Sequence, residues 1–169
     1  MSTHELEYPL EGSGGSIAPG RRPLYLHPGE LVASNEPAAI KTILGSCIAV
    51  CLWDGDYGIG GMNHYVMPQG AVSNPNPGRF GCFAIPRLID AMVAQGARAV
   101  RLQAKLFGGA AMITSAAPRA NHVGMQNLKI ANELLERAGI PVIACDVGGA
   151  RGRKIVFHTD DGSVGLWTL

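Results

Sequence analysis

The sequence predicts an α+β fold: a mixed, largely antiparallel β-sheet core, sandwich-like, flanked by two main helices. Three observations carry this. Strand-like segments come in adjacent runs, residues 43–53 with 58–66 and 154–158 with 163–168, each pair joined by a short Asp/Gly turn. Only two stretches show helical periodicity, about 83–95 and about 123–138, and a glycine closes each. Helices segregated from runs of strands are the pattern of α+β packing rather than of a doubly wound parallel sheet.

Residues 1–23 read as a flexible tail with a Gly-Ser-Gly-Gly-Ser stretch and few apolar side chains, and residues 24–169 as a single domain. A short edge strand is expected at 31–34. Residues 43–53 are the most apolar stretch of the chain. Cys47, Ala49, Cys51 and Trp53 point to one face and Ile48, Val50 and Leu52 to the other, so this is a central strand buried on both sides. Asp54-Gly55-Asp56 turns the chain into an antiparallel partner, 58–66. A long loop, 70–78, leads into the first helix, whose apolar stripe is Phe83, Leu88, Ile89, Met92 and Val93. Pro86 restricts where that helix can start, because proline is tolerated where amides lack intrahelical partners. Residues 99–107 alternate: Val100, Leu102, Ala104 and Leu106 face one way, Arg101, Gln103 and Lys105 the other. The second helix buries Met125, Leu128, Ile130, Ala131, Leu134 and Leu135 and stops at Gly139, two residues before Pro141. A short strand at 142–146 and a hairpin around Thr159-Asp160-Asp161-Gly162 complete the chain.

Composition narrows the function. The 169 residues are 47% hydrophobic and 16% charged, enough to build a core and too apolar for a disordered chain. The formal net charge is +1 and no basic run is present, which argues against nucleic acid and lipid partners. No apolar run is long enough to span a membrane, and the N-terminus lacks the charged-then-apolar pattern of an export signal; a cytoplasmic location is expected. Cys47, Cys51, Cys82 and Cys145 form no C-x-x-C pair and are expected as thiols. Cys47 and Cys51 on one strand stand about 13 Å apart, too far to share an ion. His122, His158 and Cys145 have no ligand spacing, so no metal is expected. Gly108-Gly109 and Gly148-Gly149 match no phosphate-loop spacing, so no nucleotide or other cofactor is expected.

One candidate chemistry is nucleophilic. In Ile43-Leu44-Gly45-Ser46-Cys47 a glycine and a serine precede a cysteine at a strand edge. Gly45 permits a tight turn and close approach of a ligand, and backbone amides around Ser46 and Cys47 can face a developing oxyanion. His64 stands near the end of the second strand. Counted outward from Asp56, Cys47 and His64 fall at the same end of the strand pair, in register to within one residue. An imidazole within reach of a thiol favours the thiolate, the nucleophilic form. Thr42 offers an oxygen to orient the imidazole. Taken singly, each has a plainer reading: a small buried thiol, a hydrogen-bonded structural histidine, an ordinary strand threonine.

The whole pattern resembles the CheD family of chemoreceptor glutamine deamidases. The carrying segments are Thr42-Ile43-Leu44-Gly45-Ser46-Cys47-Ile48-Ala49-Val50-Cys51-Leu52 and Gly60-Gly61-Met62-Asn63-His64-Tyr65-Val66-Met67-Pro68. They are followed by Ala104-Lys105-Leu106-Phe107-Gly108-Gly109-Ala110-Ala111-Met112, Gly124-Met125-Gln126-Asn127, and Asp146-Val147-Gly148-Gly149-Ala150-Arg151-Gly152-Arg153. The resemblance implies a cysteine hydrolase related in architecture to deamidating toxins, with Cys47 as nucleophile, His64 as base and Thr42 as third member. In some members the threonine stands one residue further from the cysteine, where this chain has Lys41. It also implies receptor cytoplasmic domains as substrate and association with a CheC-type phosphatase. The competing expectations are a stoichiometric regulator of such a phosphatase and a redox-sensing thiol protein with Cys51 or Cys145 as resolving thiol. A folded helical substrate requires an open site gripped by loops, for which residues 70–78 and 110–122 are the candidates.

Overall fold

The computed structural model describes residues 19–112 and 122–169. Its strands form two sheets. One has four strands in the order β1 (Arg22–Tyr25), β3 (Ala38–Leu44), β8 (Arg153–His158), β9 (Val164–Thr168). The other has five, in the order β2 (Leu31–Ser34), β5 (Ile59–Asn63), β4 (Ile48–Asp54), β6 (Gln103–Gly108), β7 (Val142–Val147). The pairings are antiparallel except β1 with β3 and β6 with β7. Two helices, α1 (Gly81–Ala94) and α2 (Val123–Arg137), pack on the outer face of the five-stranded sheet. The α+β class and the two main helices expected from the sequence are therefore present.

β4 is the hinge of this three-layer stack, and its alternation reads as expected. Ile48, Val50 and Leu52, all fully buried, pack with Ile85, Leu88, Met92, Ala131 and Leu135 of the helices. Ala49 and Cys51 face the space between the sheets, with Ile40, Leu44, Met62, Phe107, Ile155 and Phe157. Burying each large side chain of this kind contributes about 2 kcal/mol, so both faces of one strand are committed to cores.

Several expectations are corrected. Residues 43–53 are not one strand. β3 ends at Leu44 in the four-stranded sheet and β4 starts at Ile48 in the five-stranded one, so the chain changes sheets through residues 45–47. The apolar run hides this because Leu44 and Ile48 are both buried, each in a different core. The tail boundary at residue 23 is also too late. Arg22 and Pro23 lie in β1, and Arg21 bonds both carboxylate oxygens of Asp160 (2.8 and 3.0 Å) and reaches Asp161 at 2.9 Å.

α1 begins at Gly81, with Pro86 inside it on the exposed side. Its first amides are satisfied from outside, Gly81 N–H on Met67 O (2.8 Å) and Cys82 N–H on Pro68 O (3.0 Å), so the start is set by these carbonyls rather than by the proline. Its buried line is Ala84, Ile85, Leu88 and Met92; Val93 is exposed and Phe83 only half-buried. Residues 99–101 form a 3-10 turn instead of strand, held by Arg98 N–H on Asp54 Oδ2 (2.9 Å), which leaves Val100 91% exposed. In α2, Met125 faces outward, and Gly124 and Asn127 take the inward positions beside Ile130, Ala131 and Leu135.

Candidate active site

Cys47 is half-buried on the crossover between the sheets. All three carbonyls of this turn are held from behind. Gly45 O accepts from Ala110 N–H (3.0 Å), Ser46 O from Asn127 Nδ2 (3.0 Å) and Cys47 O from Gly109 N–H (2.8 Å). The Gly108-Gly109 pair is needed for this. Gly108 has φ +107°, and a Cβ there would stand 2.1 Å from Cys47 O; Gly109 has φ +67°. The amides tell the opposite story: neither Ser46 N–H nor Cys47 N–H meets an oxygen acceptor among the described residues. Cys47 N–H lies against its own sulfur, where it favours the thiolate. Gly45 has Met112 packed against it; the remainder of the 110–122 loop, residues 113–121, lies outside the described residues. The 70–78 loop is exposed up to Asn76 and ends in a 3-10 turn, Pro77–Arg79.

His64 follows β5 immediately and is buried. The chain leaves the regular ladder here. Val50 N–H bonds the Asn63 side chain (3.0 Å), while His64 N–H turns to Glu30 O (3.1 Å) and His64 O accepts from Gly29 N–H (2.7 Å). The register pairs Cys51 with Met62 and Ile48 with Tyr65, which sets His64 opposite Ala49. The turn is centred between Asp56 and Tyr57, so the count from Asp56 was short and His64 is a diagonal neighbour of Cys47. Such neighbours stand about 7–8 Å apart, within reach of long side chains. Both residues share the parity of Ala49, Cys51 and Met62 and face the inter-sheet side. No thiol–imidazole hydrogen bond is formed.

The imidazole meets Thr42 of β3 across the gap between sheets. Thr42 Oγ1 lies 2.8 Å from His64 Nδ1 and 2.7 Å from Leu26 O. A carbonyl can only accept, so the single hydroxyl proton goes to Leu26 and the oxygen accepts from His64 Nδ1–H. That fixes the tautomer: Nε2 carries the bare lone pair, and it is buried without a hydrogen-bond partner among the described residues. Burial holds His64 down to about 4, against its bond toward Leu26 and together with the charges of Arg79 and His27. Burial pushes the Cys47 thiol up, opposed by the Arg79 charge and its own amide. At neutral pH the resting pair is thus a neutral thiol beside a neutral base, with the exposed Arg79 guanidinium nearby.

Of the five residues expected from sequence, Thr42 and His64 are in direct contact, and Gly45, Ser46 and Cys47 form the turn beside them. Sequence reasoning missed Asn127, Arg79 and the supporting role of Gly109. The signal for Asn127 and Gly109 was their place in otherwise unexplained motifs, Gly124-Met125-Gln126-Asn127 and Phe107-Gly108-Gly109.

A thiol on a turn with open amides, beside an imidazole held as a neutral base by a threonine, is the layout of a cysteine-nucleophile site. The chain belongs to the CheD family: the family described as CheD chemotactic sensory transduction matches residues 66–168, more than half of the chain. That match begins past His64, so relatedness over the site itself comes from longer alignments. The chain is 49% identical over 144 residues to "Probable chemoreceptor glutamine deamidase CheD 1" of Anaeromyxobacter dehalogenans, covering 85% of this chain and 83% of that protein. It is 41% identical over 142 residues to "Probable chemoreceptor glutamine deamidase CheD" of Sulfurimonas denitrificans, covering 84% and 91%. With the protein of the same name from Trichlorobacter lovleyi it shares 41% over 143 residues, covering 85% and 88%.

Proposed function

We propose that this chain is a chemoreceptor glutamine deamidase that works through a Cys47 thioester. The observation that carries the chemistry is the Leu26–Thr42–His64 relay, which leaves a bare, buried Nε2 lone pair on the same face and at the same end as the Cys47 thiol. The substrate class follows from the names of the relatives.

His64 Nε2 takes the thiol proton as sulfur attacks the side-chain carbonyl carbon of a receptor glutamine. Ser46 and Cys47 amides receive the oxyanion, a stabilisation of about 3 kcal/mol for each well-placed donor. His64 Nε2–H then protonates the departing nitrogen, which leaves as ammonia. Water, deprotonated by the same nitrogen, cleaves the thioester and leaves glutamate and the restored thiol. Arg79 steadies the thiolate during attack. The new carboxylate alters charge pairing along a receptor helix and so biases its signalling state.

The domain assigned to residues 24–169 acts as the catalytic unit, with its start moved to Arg21 by the clamp on Asp160. No helix of the described residues is long and apolar enough to cross a membrane. Action on receptor cytoplasmic domains places the protein in the cytoplasm. A CheC-type phosphatase, the second partner implied by the resemblance, would compete with receptor for the rim around Cys47.

The test is intact-mass analysis of a receptor cytoplasmic domain incubated with wild type or with Cys47→Ala. Conversion of amide to acid by substoichiometric wild type, and none by the variant, is expected. Full conversion by Cys47→Ala refutes the mechanism.

A further inference from the structure

We infer that Asn127 is the positioning residue of the oxyanion site: its carboxamide holds Ser46 O and thereby turns Cys47 N–H toward the reacting carbonyl. The inference deepens the acyl-transfer reading above and rests on it.

The geometry is that of a single planar peptide. In a trans peptide the carbonyl of one residue and the N–H of the next point in opposite directions. Whatever anchors Ser46 O therefore aims Cys47 N–H. Ala110 N–H anchors Gly45 O and aims Ser46 N–H in the same way. The first anchor is the side chain of Asn127 and the second is backbone, so only the aim of Cys47 N–H is set by side-chain chemistry.

Asn127 suits the task. Its Nδ2 donates to Ser46 O at 3.0 Å and to Val66 O at 2.8 Å. Extending the pairing of Ile48 with Tyr65 by one residue sets Val66 opposite Cys47, so one amide group staples the cysteine turn to the segment that carries His64. The residue is itself fixed, fully buried in α2, with Tyr65 Oη donating to its backbone carbonyl. Its Oδ1 is buried without a hydrogen-bond partner among the described residues. Leaving that oxygen unpaired costs stability that an apolar residue would not lose. The two donors are what an apolar residue lacks. Aspartate has the shape without the donors, and serine has one donor.

The test compares two reactions of the same thiol. p-Nitrophenyl acetate acylates it through an oxyanion; iodoacetamide alkylates it by displacement at saturated carbon, with no oxyanion. Both are followed at Cys47 by peptide mass, because Cys82 and Cys145 also offer thiols. In Asn127→Ala, acylation is expected to fall about 100-fold, the scale for losing one oxyanion donor, while alkylation stays near wild type. Receptor deamidation should lose kcat with little change in KM. Asn127→Ser should fall between, and it carries the same comparison if the alanine variant does not fold. Unchanged acylation overturns the inference, and so does an equal fall in both reactions, which marks a merely structural staple. A wild type that reacts with both reagents yet releases no ammonia from receptor sinks the deamidase reading and leaves the Asn127 ratio readable.

Discussion

Thr42, within β3, and Thr159, just after β8, are both wholly buried with hydrogen-bonded hydroxyls, yet they serve different ends. Thr159 Oγ1 accepts from Ala38 N–H (2.8 Å) and lies 3.0 Å from Glu36 O. Its network begins and ends on backbone and is closed. Thr42 links Leu26 O to an imidazole, and that network ends on a bare nitrogen. The imbalance is local. Among the described residues, the buried side-chain atoms without a partner are Asn63 Nδ2, His64 Nε2 and Asn127 Oδ1, all at the end that holds Cys47. Each such atom costs about 1–3 kcal/mol. The same residue type thus closes a network where its partners are all backbone and orients a ring with an open nitrogen where one partner can still accept a proton.

The sharpest way to break this contrast is to remove the base. His64→Ala should lower the deamidation rate about 1,000-fold, close to 4 kcal/mol of barrier, in a receptor ammonia-release assay. A wild-type rate would strip His64 of its role.

The next effect is on stability against pH. His64 is held at about 4 when folded and titrates near 6.5 when unfolded. The unfolded chain therefore binds the proton first. Stability is full above 6.5 and is lost as pH falls toward about 4, by roughly 3 kcal/mol. Urea unfolding of wild type and His64→Gln between pH 7 and 4 should differ by that slope. The kcat/KM profile should likewise lack an inflection near 6.5 and fall only as His64 protonates near 4.

The smallest effect separates the two threonines directly. Thr42→Val and Thr159→Val should each cost about 2 kcal/mol in urea unfolding, because each strands buried backbone or ring groups. Only Thr42→Val should slow deamidation, about ten-fold, through loss of the fixed tautomer, a part of the roughly 100-fold or more that base catalysis supplies. Thr42→Ser should restore the rate. An equal loss of rate in Thr159→Val would erase the distinction drawn here.

Much of this was legible beforehand. The alternation of β4 assigned Cys47, Ala49 and Cys51 to one face and Ile48, Val50 and Leu52 to the other, and the two cores divide the strand that way. Gly139, at φ +70°, ends α2 as expected. Residue type and spacing offer Thr42 only as a candidate and the resemblance implies it as third member; in the fold its Oγ1 lies 2.8 Å from His64 Nδ1. Val100 and Val93 depart from the expected burial because an apolar residue at the right period looks buried until the neighbouring element is placed. Arg98 bonding Asp54 lifts Val100 out. Beyond its place in a motif, Asn127 shows no role in the sequence, because its two acceptors, 81 and 61 residues away, come together only in the fold.

By itself the sequence marked out candidate side chains for chemistry, the two-faced burial of β4 and the places where helices stop. These depend on period, turn chemistry and residue type, all of which act between near neighbours. Only the tertiary structure decided that the chain changes sheets at residues 45–47, that His64 sits one diagonal step from Cys47, which ring nitrogen is bare, and which way the Cys47 amide points. Those depend on where buried donors find acceptors, and the acceptors come from distant strands and a helix that the chain reaches only after folding.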